Sequence, residues 1–331
     1  MLYFLTILSN MTKIQVFITA ASNLLLIYIT LFHVKQIVGT YKYMIIIFSF
    51  LGIGFSISDQ VAKPVIYSYA GALLCFSYGD GWFDESLEFR QAALAIYSGI
   101  YMVILALAAA QFVYRYLALV HPDLTKWFKG FGIMAWVCYP ISHGVVNGLL
   151  IFLLASPDEY SDQYLRNEFF KEYDLEITNV ARLSMIPFDT AGNLRIKNAT
   201  FLLCLSFFIS CQYSIIIFCA VQMHLQMNKE LLKFSVANQK LQRQFFKALL
   251  VQILVPAILF VLPSLPFLIT PFFNIEIGFN PALNCALLQI YPPIDSIAFM
   301  LIVSEYRKII SKTLKKCGSK AQNQSVIQFV T

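Results

Sequence analysis

Seven apolar stretches, each long enough to cross a bilayer as a helix, leave this chain little choice of architecture. They run from Ile14 to His33, Tyr43 to Val65, Ala92 to Tyr114, Gly130 to Leu154, Ala199 to Met223, Ala248 to Thr270 and Ala282 to Val303. About 20 residues at 1.5 Å rise each span a hydrocarbon layer of roughly 30 Å. Of the 331 residues 59% are hydrophobic and only 13% charged, too few charges to form the polar skin of a soluble domain. The expected fold is therefore an all-α membrane protein, a seven-transmembrane-helix bundle over residues 1–303 with a tail over 304–331. No internal repeat or flexible linker interrupts it. The longest connection, Ser156 to Asn198, is 43 residues and acidic, with a turn signal over 188–193. A connection of that length in a compact bundle is ordered for a purpose, and it is expected to cover the outer mouth.

Charge sets the expected orientation, because basic flanks are retained in the cytosol. With the N-terminus outside, the inner segments 34–42, 115–129, 224–247 and 304–331 hold 16 bases against three acids, and the opposite side holds seven bases against 13 acids. The N-terminus has no basic region before its first apolar stretch, so cleavage as a signal peptide is not expected. Sequons at Asn10 and Asn198 fall on the outer side and one at Asn323 on the inner. Asn10 is the candidate for glycosylation, since Asn198 lies against the membrane.

The net charge of +6 does not point to nucleic acid, because the bases flank apolar runs and do not gather on an aromatic-rich face. Seven cysteines fall mostly inside the spans and no Cys/His cluster has ligand spacing, so neither a metal nor another cofactor is implied. There is no GxSxG, HExxH or phosphate-loop motif, so an enzyme is not expected. A small-solute transporter is disfavoured by the lack of inverted repeats and paired midplane charges. A seven-helix ligand-gated channel is the other alternative, but odorant channels of the insect type hold their N-terminus in the cytosol.

Four blocks carry more specific information: Val38-Gly39-Thr40-Tyr41-Lys42-Tyr43 into the second span, and Phe112-Val113-Tyr114-Arg115-Tyr116-Leu117-Ala118-Leu119 out of the third. Leu241 to Leu249 (LQRQFFKAL) opens the sixth, and Tyr291-Pro292-Pro293-Ile294-Asp295 through Glu305-Tyr306-Arg307 closes the seventh. In this order the chain resembles the nematode serpentine chemoreceptors of the Str class, a divergent group of G-protein-coupled receptors. That resemblance implies a small-molecule cue such as an odorant as ligand, a heterotrimeric G protein as inner partner, and the plasma membrane of sensory neurons, at their cilia, as location. Ser296 stands where the family would place a proline. Residues 156–198 contain no cysteine for the third-helix disulfide of rhodopsin-like receptors, which leaves Cys75 with Cys204 as a conceivable pair.

Under that resemblance the coupling and switch residues are Arg115 with Tyr114 and Tyr116, Asp295 with Pro293, and Tyr306 with Arg307. Arg115 either snorkels to the interface or moves between a resting partner and a G protein. No acid precedes it, so no adjacent ion pair holds it. Asp295, about eight residues or ~12 Å from the inner end of its span, suits a conformational role. Four prolines, Pro256, Pro263, Pro266 and Pro271, are expected to bend the sixth span. Residues 224–247 read as helical extensions that meet anionic lipid or dock a G protein.

Asp59 and Lys63, spaced i, i+4, are expected to pair on one helix face in the outer half of span two. With Tyr97, Tyr101, Ser206, Asn284 and Gln289 they are the ligand-pocket candidates, chosen by depth. His143 and Asn147, also i, i+4, are expected to bond to each other. Beyond span seven, Tyr306, Ile309, Ile310, Thr313, Leu314 and Cys317 form an apolar stripe flanked by lysines, an amphipathic helix lying on membrane lipid, with Cys317 available for acylation.

Overall fold

A computed structural model of the chain describes residues 2–34, 37, 39–78, 86–273, 281–313 and 315. The bundle consists of α1 (Leu2–Phe32), α2 (Thr40–Ala62), α3 (Leu87–Val120), α4 (Gly132–Leu150), α6 (Ile196–Leu231), α7 (Val236–Pro256) continued by α8 (Leu262–Phe273), and α9 (Pro281–Ile302). A short helix, α5 (Glu159–Tyr173), lies in the connection between α4 and α6. These helices occupy the seven predicted spans, although several outrun them.

The third helix shows why. Its predicted inner end was Tyr114, yet the helix continues to Val120 because Leu117, Leu119 and Val120 sustain the apolar pattern. It is the most buried of the long apolar helices and packs against α2, α4 and α6. By contrast α4, the π-turn Ile151–Ala155 that follows it, and α6 turn Leu149, Phe152, Leu153, Phe207 and Phe218 outward. Apolar surface of that extent has lipid, not water, as its natural solvent.

Close approach of α3 to α4 depends on two glycines. A Cβ on Gly144 would stand 2.5 Å from Val103 Cγ2 and 3.0 Å from the Gly99 carbonyl oxygen, so the two backbones touch where neither carries a side chain. Next to this contact Asn147 donates to Ser98 Oγ at 2.9 Å. His143 bonds elsewhere, to the Tyr139 carbonyl at 2.8 Å and to Gln212 Nε2 at 3.0 Å, so the expected His143–Asn147 pair does not form.

The regular α-helix of the sixth span is interrupted beside Pro256. Pro256 closes α7, residues Ala257–Val261 widen into a π-turn, and α8 resumes at Leu262, whose N–H reaches back to the Ala257 carbonyl. A wider turn accommodates the carbonyl acceptor that proline, lacking an N–H, leaves unpaired. The seventh span is helical from Pro281 to Ile302 across both Pro292 and Pro293. Ser296 donates to Ser22 Oγ of α1 at 2.8 Å, tying α9 to its neighbour.

One element departs from the all-α expectation. Strands β1 (Pro64–Tyr69), β2 (Ala72–Ser77) and β3 (Arg182–Met185) form an antiparallel sheet in that order. The first two are joined through Ala70 (φ 41°) and Gly71 (φ 76°), a two-residue turn with both φ values positive, which matches the twist of a hairpin. The connection 156–198, expected as a covering loop, supplies both β3 and α5. Leu165, Phe169 and Tyr173 of α5 pack on Val65, Leu74 and Phe76 of the hairpin. Arg182 of β3 is buried, ion-paired with Asp162 of α5, and donates to the Ile177 and Val180 carbonyls. Asp158 caps α5 and pairs with Arg195. Together these contacts fix the sheet over one end of the bundle.

Two sequon positions differ in setting. Asn198 is buried and donates to the Leu154 and Ser184 carbonyls, both at 3.0 Å, whereas Asn10 is exposed on α1. Cys75 and Cys204 carry no disulfide to each other. Residues 304–313 form a helix after α9, with Ile309 and Ile310 packed on the core and Lys308 and Lys312 exposed. Leu314 and Cys317 lie outside the described residues.

Candidate functional site

The sheet lines one side of a cavity of about 650 Å³. Its floor and walls come from α3 (Leu94, Tyr97, Tyr101), α6 (Phe201, Ser206, Ile209) and the π-turn with α8 (Val261, Leu265, Phe272), and Asp59 reaches it from α2. Pro64, Ile66, Leu73, Cys75, Leu183 and Met185 of the three strands form its roof. The volume and the largely apolar lining suit one small organic molecule.

Four of the depth-chosen candidates, Asp59, Tyr97, Tyr101 and Ser206, meet in this cavity. Lys63 does not. The α2 helix ends at Ala62, and Lys63 caps it in the left-handed region (φ 41°), sending its N–H back to the Asp59 carbonyl at 2.8 Å. That turn takes Lys63 off the face that Asp59 occupies, so the expected i, i+4 ion pair is not among the salt bridges of the described residues. The polar group that approaches the Asp59 carboxyl is the Tyr97 hydroxyl, and the Tyr97 ring stacks on Phe55 at 4.9 Å. The side chains of Asn284 and Gln289 lie outside the described ones. The roof residues were not anticipated; the signal for them was the run Val65-Ile66-Tyr67 followed by Ala70-Gly71, a strand and turn pattern at the end of an apolar span.

Near the other end of α3 lies a second constellation. Arg115 is buried, with its guanidinium 3.7 Å from the centre of the Tyr41 ring and 4.2 Å from that of Phe245. Such sandwiching of a desolvated cation between aromatic faces contributes about 2 kcal/mol. Arg115 Nη1 donates to Gln242 Oε1 of α7 at 3.0 Å, while Nε and Nη2 have no acceptor among the described residues. The arginine therefore does not snorkel; it bridges α3 to α2 and α7. A small cleft beside it is lined by Leu119, Met223, Met227, Gln242 and Phe246.

The other switch candidates divide. Tyr114 lies parallel to Tyr41 at 6.3 Å and joins the cluster. Tyr306 bonds Thr30 Oγ1 of α1 at 2.8 Å, packs on Phe299 at 5.5 Å, and Phe299 stacks on Phe245, so Tyr306 connects to Arg115 through two rings. Tyr116 points away, against His121 and Phe218. Arg307 is exposed. Asp295 is buried one layer deeper, accepts from Gln252 Nε2 of α7 at 3.2 Å, and has no partner for Oδ1 among the described residues. The Pro293 carbonyl accepts from Ser296 Oγ at 3.3 Å. Gln242, Tyr41 and Phe245 complete this site without having been singled out by the sequence, although two of the four family blocks contain them.

The bundle, its lipid-facing surface and its two constellations define a multi-pass membrane protein of the seven-helix receptor architecture. The sequence model of the family described as "Serpentine type 7TM GPCR chemoreceptor Str" matches residues 8–311, and the chain belongs to that family. Among curated proteins it is 37% identical to G-protein coupled receptor str-33 of Caenorhabditis elegans, over 92% of this chain and 90% of the relative. It is 25% identical to serpentine receptor class r-10 of the same organism, over 85% of this chain and 83% of the relative, and 25% identical to G-protein coupled receptor str-217, over 94% of each.

Proposed function

We propose that this chain is a chemosensory receptor that binds a small molecule in the sheet-covered cavity and activates a heterotrimeric G protein at the opposite end of the bundle. In this reading the sheet end and the N-terminus face outward, the 304–331 tail is cytosolic, and the protein works at the plasma membrane of sensory cilia. The charge asymmetry between the two sets of connections supports the orientation.

The observation that carries the coupling is that the same three spans line both constellations. Tyr97 and Tyr101 of α3 face the cavity and Arg115 faces the inner cleft; Ser206 and Met223 do the same for α6, and Leu265 and Gln242 for the sixth span. Between the two ends of the sixth span lies the π-turn, where the helix is least constrained by its own hydrogen bonds. A ligand that draws α8 toward the cavity wall levers α7 away from α3, breaking the Arg115–Gln242 bond and opening the cleft. The two unpartnered nitrogens of Arg115, Nε and Nη2, then meet acceptors on the G protein. Asp295, bonded to α7 through Gln252, moves with the same lever.

The test is a spin-label distance between the inner ends of α3 and α7 in lipid nanodiscs, with labels at Val120 and Lys240. An agonist lengthens this distance under the proposal; a distance unchanged by agonists that do raise nucleotide exchange overturns the lever.

A further inference from the structure

Asp59 is the single charged side chain among the described residues that line the cavity; the remainder are apolar or carry hydroxyl, thiol or thioether groups. It is 2% exposed, and its Oδ2 has no hydrogen-bond partner among the described residues. Lys63, its sequence-neighbour cation, has been turned off the shared face by the left-handed cap. A buried carboxyl oxygen in apolar surroundings is costly unless something donates to it. The other polar groups offer less. Ser98 already receives the Asn147 amide, and the Tyr97 hydroxyl, the polar group that approaches the Asp59 carboxyl, leaves Oδ2 without a partner among the described residues. The strongest acceptor on the cavity lining is therefore the Asp59 carboxyl, whose Oδ2 a guest reaches by displacing the side chains that now cover it.

We propose that the ligand of this cavity is a compact, largely apolar molecule with one hydrogen-bond-donating head, best an amine, and that the head seats on Asp59 Oδ2. The inference rests on the proposed reading of the cavity as the ligand site. An ammonium or amine N–H completes the acceptor and, when charged, neutralises it. The apolar remainder lies against Ile209, Leu265 and Phe272, and the hydrocarbon must be short to fit about 650 Å³. A carboxylate of the same skeleton sets charge against charge, and a ketone or ester pairs only with the protonated carboxyl, so both forfeit the ion pair that an ammonium makes and bind more weakly.

The experiment uses the full chain purified into nanodiscs, with thermal stabilisation and direct binding as readouts, so that no G protein is involved. The probes are matched sets of short alkyl and phenylalkyl compounds that share a skeleton and differ in head: amine, alcohol, ketone, carboxylate and unsubstituted hydrocarbon. Amines are expected to bind tightest, alcohols next, and acceptor-only heads weakest. Asp59→Asn and Asp59→Leu are expected to lower amine affinity by about 10- to 100-fold while sparing the hydrocarbon members. The ranking of heads on the unmutated chain decides the matter even if either variant fails to fold. Binding that is independent of the head, or an amine affinity unchanged in Asp59→Asn, overturns the role of Asp59 and leaves the cavity as a ligand site. No binding by any member of any set overturns the cavity itself.

Discussion

Substituting Gly144 by alanine tests the packing that aligns α3, the helix shared by both constellations. The added Cβ would stand 2.5 Å from Val103 Cγ2 and 3.0 Å from the Gly99 carbonyl oxygen, against an ordinary carbon–carbon contact of about 3.5–4.0 Å. Relieving the first overlap alone needs a shift of roughly 1 Å, and rotation of the valine cannot relieve the second, because that atom is backbone. Overpacking of this kind costs about 1–3 kcal/mol. Separating the helices also stretches the 2.9 Å Asn147–Ser98 bond beside the cavity. The thermal midpoint of the purified chain in detergent is expected to fall, and Val103→Ala in the same chain to recover part of the loss. Gly148→Ala, one turn further along the same helix, meets nothing within 4 Å and is expected to leave stability unchanged or raise it by up to ~1 kcal/mol. Equal midpoints for Gly144→Ala and Gly148→Ala, or no recovery with Val103→Ala, would refute the close contact of the two backbones.

Gln242→Ala removes the hydrogen bond that ties Arg115 to α7 and should raise ligand-free nucleotide exchange several-fold, since a charge-assisted bond is worth about 1.5–3 kcal/mol; unchanged basal exchange contradicts the resting bridge. Ala70→Gly relieves a non-glycine residue at φ 41° in the hairpin turn and should stabilise by about 1 kcal/mol, read as a higher thermal midpoint. Asp162→Asn takes the carboxylate from buried Arg182 and should cost about 1.5–3 kcal/mol, with loosened hydrogen-exchange protection across β3. The Asn193 amide, its backbone N–H and that of Ala191 hold the Asp189 carboxyl below the usual carboxylate range. The turn over 189–193 should therefore be fully formed above the unfolded carboxylate range and loosen as pH falls through the lowered value; Asn193→Ala should move that transition upward in an NMR titration. Asn10→Gln is expected to abolish an endoglycosidase-sensitive mobility shift, and Asn198→Gln to leave it intact while reducing folded yield.

How far the sequence reaches is seen by comparing particular residues. Apolar runs marked where α1, α2, α4 and α6 lie because a bilayer demands length and apolarity, two properties written in composition. The α3 helix runs on past Tyr114, where Arg115 reads as a boundary charge; the burial of Arg115 comes from Tyr41 and Phe245, 74 and 130 positions away in the chain. Asp59 and Lys63 satisfy the helical spacing rule, yet one left-handed residue at the helix end separates them. The sheet was hidden for a similar reason. Val65 was absorbed into an apolar span, although Pro64 ends the helical pattern and the Ala70-Gly71 turn begins a hairpin. Its third strand, Arg182–Met185, pairs across more than 100 residues, a contact that local patterns do not encode. Depth alone still brought Asp59, Tyr97, Tyr101 and Ser206 to one cavity, because positions at one end of α2, α3 and α6 that face the bundle converge there.

The central claim, that a molecule in the sheet-covered cavity drives a G protein through Arg115, is tested most directly by nucleotide exchange in a heterologous cell. The chain carries an N-terminal epitope read on unpermeabilised cells, and volatile and water-soluble small molecules are applied. The account predicts an exposed epitope and exchange raised by some of these molecules, abolished by Arg115→Ala and by cavity-filling Ser206→Trp at equal surface expression. A hidden epitope, with the same molecules evoking current in the absence of any G protein, would contradict it.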